Sequence, residues 1–207
     1  MLRACLDAPA VTEVRALVRR PTGVRDAKLR EIVHADYLDY SAVAGEFAGI
    51  DACYFCLGVS VSQVPDEAAY RRIHQEFPIA AARLLRGKSP AAQFHYLSGV
   101  RAGLESRWMW ARVKGEAERD LMVEFSATCW RPAMIDGDQV ANQPALTNVL
   151  RPVLRAVFKP FRSMYVVNDD IGRAMLQGTR VGMTKRIIEN AELRDLADTW
   201  RSQAEPQ

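Results

Sequence analysis

Short apolar runs rich in β-branched and aromatic residues alternate along this chain with longer segments of helical periodicity. Runs with the length and composition of strands occur at 13–19, 31–35, 52–57, 93–98, 127–131 and 164–167. Between them, apolar residues at helical spacing extend over 66–86 and about 107–124, and Asp170 is placed to cap a third helix. Because strands that alternate with helices form βαβ units, the sequence predicts an α/β protein with a doubly wound parallel sheet.

The length and charge of the chain limit its organisation and partners. Its 207 residues contain neither an internal repeat nor a linker rich in Gly or Ser, so we expect one domain spanning 1–207. A net charge of +3 is too small to indicate a nucleic-acid partner, and no apolar run approaches the ~20 residues that span a bilayer. The start of the chain lacks the pattern of a signal peptide. We therefore expect a cytoplasmic protein that acts on an unknown small-molecule substrate and binds neither nucleic acid nor a membrane. A homodimer is a possible assembly.

Two of the four cysteines, Cys53 and Cys56, have the C-x-x-C spacing of redox and zinc sites. They lie in a predicted buried strand, where positions three apart point to opposite faces. Two such sulfurs can neither share a metal nor form a disulfide, so we assign these thiols a structural role and predict no metal site.

The segment 136–163 differs from the rest of the chain, because an apolar stripe at helical spacing runs beside the chain's only basic cluster. We interpret it as a lid or substrate-binding segment, with docking on a membrane or on a partner as the alternative. The stripe consists of Leu146, Val149, Leu150, Val153, Leu154, Val157 and Phe158, and the basic residues are Arg151, Arg155, Lys159 and Arg162.

Residues that follow the strands are the natural candidates for ligand contacts, because ligands of open parallel sheets bind beyond the carboxyl ends of the strands. Arg19 and Arg20 follow the first run and suit a ribose phosphate, although a solvated basic turn is the alternative. Asp36 is placed to accept a hydrogen bond from an adenine amine, and Tyr37 to flank the ring. Gly58 allows the backbone to approach a ligand closely.

The order and spacing of these motifs resemble a known family. The stretch 11–177 resembles the extended and atypical short-chain dehydrogenase/reductases, especially the NAD(P)-binding epimerase-like proteins of the Tat-interacting oxidoreductase branch. The segments that carry the resemblance are Leu-Val-Arg-Arg-Pro at 17–21, Cys-Leu-Gly at 56–58, Val-Lys-Gly-Glu-Ala-Glu at 113–118 and Arg-Pro at 131–132.

The resemblance implies a Rossmann fold that prefers NADP(H) to NAD(H). The cofactor contacts that it implies are Arg19 and Arg20 at the 2′-phosphate, Asp36 at adenine, Gly58, Lys114, and Pro132 beside the nicotinamide carboxamide. Ser98 matches the family's catalytic serine, which orients a substrate carbonyl or hydroxyl. Lys114 matches the lysine of Tyr-x-x-x-Lys, which holds the nicotinamide ribose and lowers the pKa of the tyrosine.

The sequence departs from the family pattern at that tyrosine. Trp110 stands four residues before Lys114, where the family has its general acid/base. An indole N–H does not exchange a proton near neutral pH, whereas a phenol can be adjusted to do so. We therefore expect hydride-transfer chemistry to be impaired.

A second departure lies at the start of the chain. The family's first strand and glycine-rich turn have no counterpart, and the only glycines before Gly58 are Gly23, Gly45 and Gly49. That strand is central in the order 3-2-1-4-5-6, so we expect a gap in the sheet with two unpaired edges. Three explanations remain open. One is that the sequence starts later than the natural protein. Another is a genuinely short chain that closes the gap by rearrangement, by strand exchange with a second copy or by direct pairing of the two edges. The third explanation is that the short form is unstable alone.

Two functions follow from these observations. The first is an NAD(P)H-binding short-chain dehydrogenase/reductase-like protein, an oxidoreductase or epimerase acting on an unknown small molecule. The alternative is a catalytically silent relative that binds NADPH or regulates a partner, which Trp110 and the missing glycine turn favour.

Overall fold

A computed structural model describes residues 1–136, 157–158 and 160–204. The strands are β1 (Val14–Val18), β2 (Leu29–Val33), β3 (Ala52–Phe55), β4 (Gln93–Leu97), β5 (Thr128–Arg131), β6 (Met134–Asp136), β7 (Tyr165–Val167) and β8 (Ile187–Glu189). The α-helices are α1 (Leu2–Asp7), α2 (Glu67–Arg71), α3 (Phe77–Lys88), α4 (Met109–Phe125), α5 (Asn168–Val181) and α6 (Asn190–Ala204). Short 3₁₀ helices occupy Ser41–Phe47 and Val61–Gln63, and one π-helical turn, Arg72–Glu76, joins α2 to α3.

All six predicted strands are present, with ends that differ by at most two residues. The helix predicted over 66–86 is present as α2, the π turn and α3, and the Asp66 carboxylate caps it by accepting a hydrogen bond from the Ala69 N–H at 2.8 Å. The prediction that Asp170 caps a helix is wrong. α5 begins at Asn168, and Asp170 lies within its first turn, where its carboxylate pairs with Arg173 and Arg201 instead.

Every strand pair among the described residues is parallel, which confirms the predicted α/β class. Four strands form a sheet in the order β3-β4-β5-β8, while β1 pairs with β2 and β6 pairs with β7. In the larger sheet, Ala52 lies opposite Gln93 and His95 lies opposite Thr128. This is the sheet of a Rossmann-like protein, interrupted between β1 and β3.

The interruption lies where the sequence predicts a gap. In the described part of the chain, β1 pairs only with β2 and β3 only with β4. The two sheets nevertheless share their apolar layers. Val14 and Tyr54 pack against the cluster formed by α1 and α5, and Leu17 and Cys53 pack against the cluster on the opposite face.

The core is deepest under β4 and β5. Phe94 and Tyr96 on β4, and Cys129 and Trp130 on β5, are fully or almost fully buried. In contrast, all five residues of β1 are only partly buried. Strands inside a parallel sheet are normally buried on both faces, so β1 has the burial of an edge strand.

Several expectations need correction or lie outside the described residues. Cys53 is half-buried, and Cys56 is exposed because it follows the end of β3; both are free thiols. Most of the predicted lid, 137–156 and Lys159, lies outside the described residues. Among the described helices, none is long and apolar enough to cross a membrane.

Candidate functional site

Ser98 and Lys114 meet at the carboxyl end of β4. The Lys114 Nζ donates a hydrogen bond of 2.9 Å to the Ser98 carbonyl oxygen. The Ser98 N–H in turn donates to the Trp130 carbonyl at 2.8 Å, which fixes the end of β4 to β5. The Ser98 Oγ is buried and has no hydrogen-bond partner among the residues that the structure describes. A buried hydroxyl without a partner is costly, and it marks a place where a ligand or water is accommodated.

The surroundings of Lys114 change its protonation behaviour. Burial lowers the pKa of this amine to about 8, and the negative charge of Glu118, one turn further along α4, opposes the shift. A Cβ atom on Gly99 would lie 3.4 Å from the Lys114 Nζ, so a small residue suits the place where the loop passes the amine. With a pKa of about 8, the amine is mostly protonated at pH 7 and donates to the backbone as an ammonium.

His74 lies beside this site, although no sequence motif singles it out. It lies in the π turn, is buried, and stacks on Tyr70 with ring centroids 4.1 Å apart. Its Nε2 lies 3.0 Å from the Val59 carbonyl oxygen, while its Nδ1 is buried and meets no hydrogen-bond partner in the described part of the chain. Burial, assisted by the charge of Lys114, lowers the pKa of His74 to about 4, so the ring is neutral at pH 7. In the sequence, the only indication of a role for His74 is its place within a predicted helix, at a position that the fold buries.

The structure explains why residue 58 is a glycine. A Cβ atom at this position would lie 2.9 Å from the His74 Cε1, closer than real Cβ contacts. Glycine is therefore required for the approach of the His74 ring, and a ligand contact by Gly58 stays a prediction.

A buried ion pair between Glu118 on α4 and Arg131 on β5 lies next to the site. Glu118 is 1% exposed and accepts two hydrogen bonds from the Arg131 guanidinium, from Nε at 2.9 Å and from Nη2 at 2.5 Å. The Pro132 carbonyl oxygen accepts a hydrogen bond of 3.0 Å from the Val100 N–H, which ties the ends of β4 and β5 together. This bond joins Pro132 to the residue two positions after Ser98, and the contact of Pro132 with the nicotinamide carboxamide stays a prediction.

The other predicted residues form a second group at the ends of β1 and β2. Arg19 and Arg20 are exposed, and within the described residues neither side chain has a hydrogen bond or ion pair. The Asp36 Oδ1 accepts a hydrogen bond of 2.9 Å from the Leu38 N–H. Tyr37 is buried, its phenol donates to the Leu17 carbonyl at 3.3 Å, and its ring packs on Phe77. The Tyr37 ring is packed in the core, and its predicted role of flanking an adenine ring stays a prediction.

Neither Tyr96 nor Tyr165 replaces the missing tyrosine in the described site. Trp110 is the second residue of α4 and is partly buried. Tyr96 donates to the His74 carbonyl at 2.8 Å, and Tyr165 donates to Asp136 at 2.5 Å. Both hydroxyls are engaged in structural hydrogen bonds.

Comparison with known proteins identifies the fold. No family model matches the chain. The curated protein FMP52, mitochondrial, from Eremothecium gossypii is 24% identical over 98% of this chain and 93% of its own length. Among solved structures, the dTDP-glucose 4,6-dehydratase DesIV from Streptomyces venezuelae, with NAD and TYD bound, has 15% identity and a TM-score of 0.63 over 98% of this chain and 75% of its own. RMD from Pseudomonas aeruginosa, complexed with NADPH, has 11% identity and a TM-score of 0.56 over 87% and 93%.

The chain has a Rossmann-like fold, which it shares with solved dehydrogenases and epimerases. This agrees with the resemblance carried by the motifs and confirms it at the level of fold. Two of these similar structures contain a nicotinamide nucleotide, NADPH in RMD and NAD in DesIV.

The residues present fit one end of such a cofactor better than the other. The unpartnered Ser98 hydroxyl beside the Lys114 amine suits the ribose and nicotinamide. A glycine-rich turn for the pyrophosphate does not occur in the described residues before β1, where the chain forms α1.

Proposed function

We propose that this protein binds a nicotinamide dinucleotide at the carboxyl ends of β1 to β5 and is an oxidoreductase or epimerase-like protein acting on a small molecule. The observation that carries the proposal is the contact of Lys114 with Ser98, whose buried hydroxyl lacks a partner. The Rossmann fold supports it, because ligands of open parallel sheets lie at this end.

Ser98 and Lys114 have different roles at this site. The Lys114 ammonium donates to the ribose hydroxyls, and the Ser98 hydroxyl donates to a substrate oxygen and orients it. When bound, a nicotinamide supplies hydride exchange. Trp110 supplies no proton, so the chain's own residues orient the reactants but leave the proton-transfer step slow.

The phosphate preference follows from the second group of residues. Arg19 and Arg20 have exposed guanidinium groups free to form charge-assisted hydrogen bonds with a 2′-phosphate. We therefore propose NADP(H) as the preferred cofactor over NAD(H). Replacing both arginines with Ala should weaken NADPH binding at least tenfold and leave NADH binding within a factor of about two. Equal losses for both nucleotides would contradict the preference.

The test of nucleotide binding is calorimetric titration of NADPH and NADH into the intact chain. Lys114→Met should weaken NADPH binding about tenfold or more, since it removes a charged hydrogen bond at the ribose. Lys88→Met is the matched control, because Lys88 is exposed on α3 and makes no side-chain hydrogen bond within the described chain. Absence of binding for both nucleotides at millimolar concentration would contradict the proposal.

Trp110 favours the alternative function, a catalytically silent protein that binds NADPH or regulates a partner. Trp110→Tyr places a phenol one helical turn from Lys114 and should raise NADPH oxidation with a panel of small aldehydes and ketones. Trp110→Phe is the control, because it changes the ring without adding a proton donor. If Trp110→Tyr binds NADPH and remains as inactive as Trp110→Phe, the silent function is favoured.

The remaining assignments stay predictions. These are the cytoplasmic location, the homodimer, and the absence of nucleic acid and membrane as partners. The mitochondrial name of FMP52 belongs to that protein, and it makes a mitochondrial location the alternative to test for this one.

A further inference from the structure

The loop after β3, residues 58–60, is held on its inner side by one side chain, and we call it the β3 loop. The His74 Nε2 lies 3.2 Å from the Val59 nitrogen and 3.0 Å from the Val59 carbonyl oxygen. In one tautomer Nε2 donates to the carbonyl and in the other it accepts from the N–H, so both tautomers bond to Val59. The same ring lies beneath Gly58, where an added Cβ atom would be 2.9 Å from the His74 Cε1. One imidazole therefore contacts two consecutive residues of the loop.

The outer side of the β3 loop is open. Gly58 and Ser60 are exposed, and the backbone N–H and carbonyl of Gly58 form no hydrogen bond with any residue that the structure describes. Because glycine has no side chain, a ligand can approach these backbone groups closely. The loop follows the carboxyl end of β3, which is the edge where ligands of open parallel sheets bind. It thus presents free hydrogen-bonding groups at the edge of the proposed nucleotide site.

The middle of the β3 loop depends on His74. Its first residue follows β3, and its last residue, Ser60, caps the next 3₁₀ helix by donating from its N–H to the Gln63 Oε1 at 2.8 Å. Between these two ends, His74 makes the only hydrogen bonds to Val59 that the described part of the chain contains. Loss of the imidazole nitrogen would therefore release the centre of the loop.

His74 is itself fixed in place. Its ring stacks on Tyr70 with centroids 4.1 Å apart, and its carbonyl accepts a hydrogen bond of 2.8 Å from the Tyr96 phenol. Tyr96 stands on β4 two residues before Ser98, so this bond ties His74 to the strand that leads to the candidate site. The residue lies in the π turn Arg72–Glu76, and π turns inside helices are frequent at functional sites.

We propose that His74 is a positioning residue of the nucleotide site, which holds the β3 loop so that the free backbone groups of Gly58 face a bound dinucleotide. This inference rests on the proposed nucleotide binding. His74 acts from beneath the loop, through Val59, and not by touching the nucleotide. What the role requires is a hydrogen-bonding nitrogen at the place of Nε2.

Two substitutions separate this hydrogen bond from the bulk of the ring. His74→Phe keeps an aromatic ring that stacks on Tyr70 but has no nitrogen, whereas His74→Gln places an amide near the position of Nε2. In the ligand-free protein, His74→Phe should shift the amide NMR signals of Val59 and Ser60 and lower the heteronuclear NOE values of the β3 loop. His74→Gln should restore most of both, and unchanged signals elsewhere show that each variant is folded.

Calorimetric titration of NADPH measures the consequence for binding. We expect binding at least tenfold weaker in His74→Phe and within about threefold of the unaltered chain in His74→Gln. His95→Gln is the matched control, because His95 is also buried but bonds to Trp130 and Thr179 instead of to the loop. It should leave NADPH binding within a factor of about two.

Gly58→Ala tests the same contact from the side of the loop. Its Cβ atom would meet the His74 ring at 2.9 Å, so the ring or the loop must move, and NADPH binding should weaken about fivefold or more. Gly45→Ala is the control, because a Cβ atom there meets no other atom within 4 Å. It should leave NADPH binding unchanged.

Several results would overturn the proposal. One is a β3 loop whose signals and mobility are the same in His74→Phe as in the unaltered chain. Another is NADPH affinity unchanged by His74→Phe in a chain that binds NADPH, which would leave the proposed function standing and remove only the role of His74. An equal loss in His74→Phe and His74→Gln would show that the ring fills space and nothing more. If the unaltered chain binds neither nucleotide, the proposed function fails and the assignment of His74 to it fails as well.

Discussion

At the scale of single residues, His95 is held neutral by the partners around it. The Trp130 indole N–H donates to His95 Nδ1 at 3.1 Å, which requires that nitrogen to be unprotonated. Nε2 then carries the proton and donates to the Thr179 Oγ1 at 3.0 Å, and Thr179 donates onward to the Met175 carbonyl. Burial lowers the pKa of His95 to about 4.

This arrangement predicts acid sensitivity. The unfolded chain takes up a proton on His95 near pH 6.5, whereas the folded chain does so only near pH 4, so stability is full above pH 6.5 and falls as the pH decreases toward 4. The loss attributable to His95 is about 3 kcal/mol at most. Urea denaturation at pH 7, 6, 5 and 4.5 should show a weaker pH dependence for His95→Gln than for the unaltered chain. Identical slopes would show that His95 is not the group responsible.

Arg131 offers a matched comparison of a buried and an exposed carboxylate partner. Glu118 is almost fully buried, whereas the Glu189 side chain is 49% exposed and pairs with the same guanidinium at 2.9 Å. Glu118→Ala should lower the free energy of unfolding by about 3–5 kcal/mol, because it removes the buried partner of a charge. Glu189→Ala should lower it by about 1 kcal/mol or less. Similar losses in thermal or urea denaturation would contradict the assigned burial.

At the scale of elements, α4 is positioned by a close glycine contact. A Cβ atom on Gly115 would lie 2.5 Å from the Gly103 carbonyl carbon, which is backbone and cannot rotate away. Gly115→Ala should therefore destabilise the fold and displace the neighbouring Lys114, with a loss of NADPH affinity.

The control for this prediction is Gly87→Ala on α3. A Cβ atom there meets no other atom within 4 Å, so the substitution should stabilise the protein by about 0.5–1 kcal/mol through helix propensity. Equal effects of the two substitutions on the melting temperature would refute the close packing of α4.

The elements also show how far the sequence carries the fold. Apolar alternation predicted all six of the proposed strands and the course of α2 to α4, because buried faces impose their periods on the sequence. It missed the three-residue strand β6 and also β8, which offers only Ile187 and Ile188. It also missed α6, whose buried Leu193 and Ala197 stand among charged residues.

The candidate site was predicted in part for a similar reason. Ser98, Lys114 and Pro132 follow strands or lie on a motif, so local order places them together. His74 reaches Gly58 only through tertiary packing, and Tyr37 turns into the core to meet Leu17, which local sequence does not encode.

At the scale of the whole molecule, the protein is a Rossmann-type arrangement of parallel strands with an interruption between β1 and β3. The two groups of candidate residues lie on opposite sides of this interruption, Arg19, Arg20 and Asp36 on one side and Ser98, Lys114 and Pro132 on the other. A dinucleotide that bridges them would contact both sheets at their carboxyl ends.

The most direct test of that claim is an NMR map of the amides that shift when NADPH is added to the intact chain. We expect shifts at Arg19, Arg20, Gly58, Ser98 and Gly99, on both sides of the interruption, and a marked reduction of these shifts in Lys114→Met. Shifts confined to the amino ends of the strands, or a spectrum unchanged at saturating NADPH, would contradict a nucleotide site at this edge of the sheet.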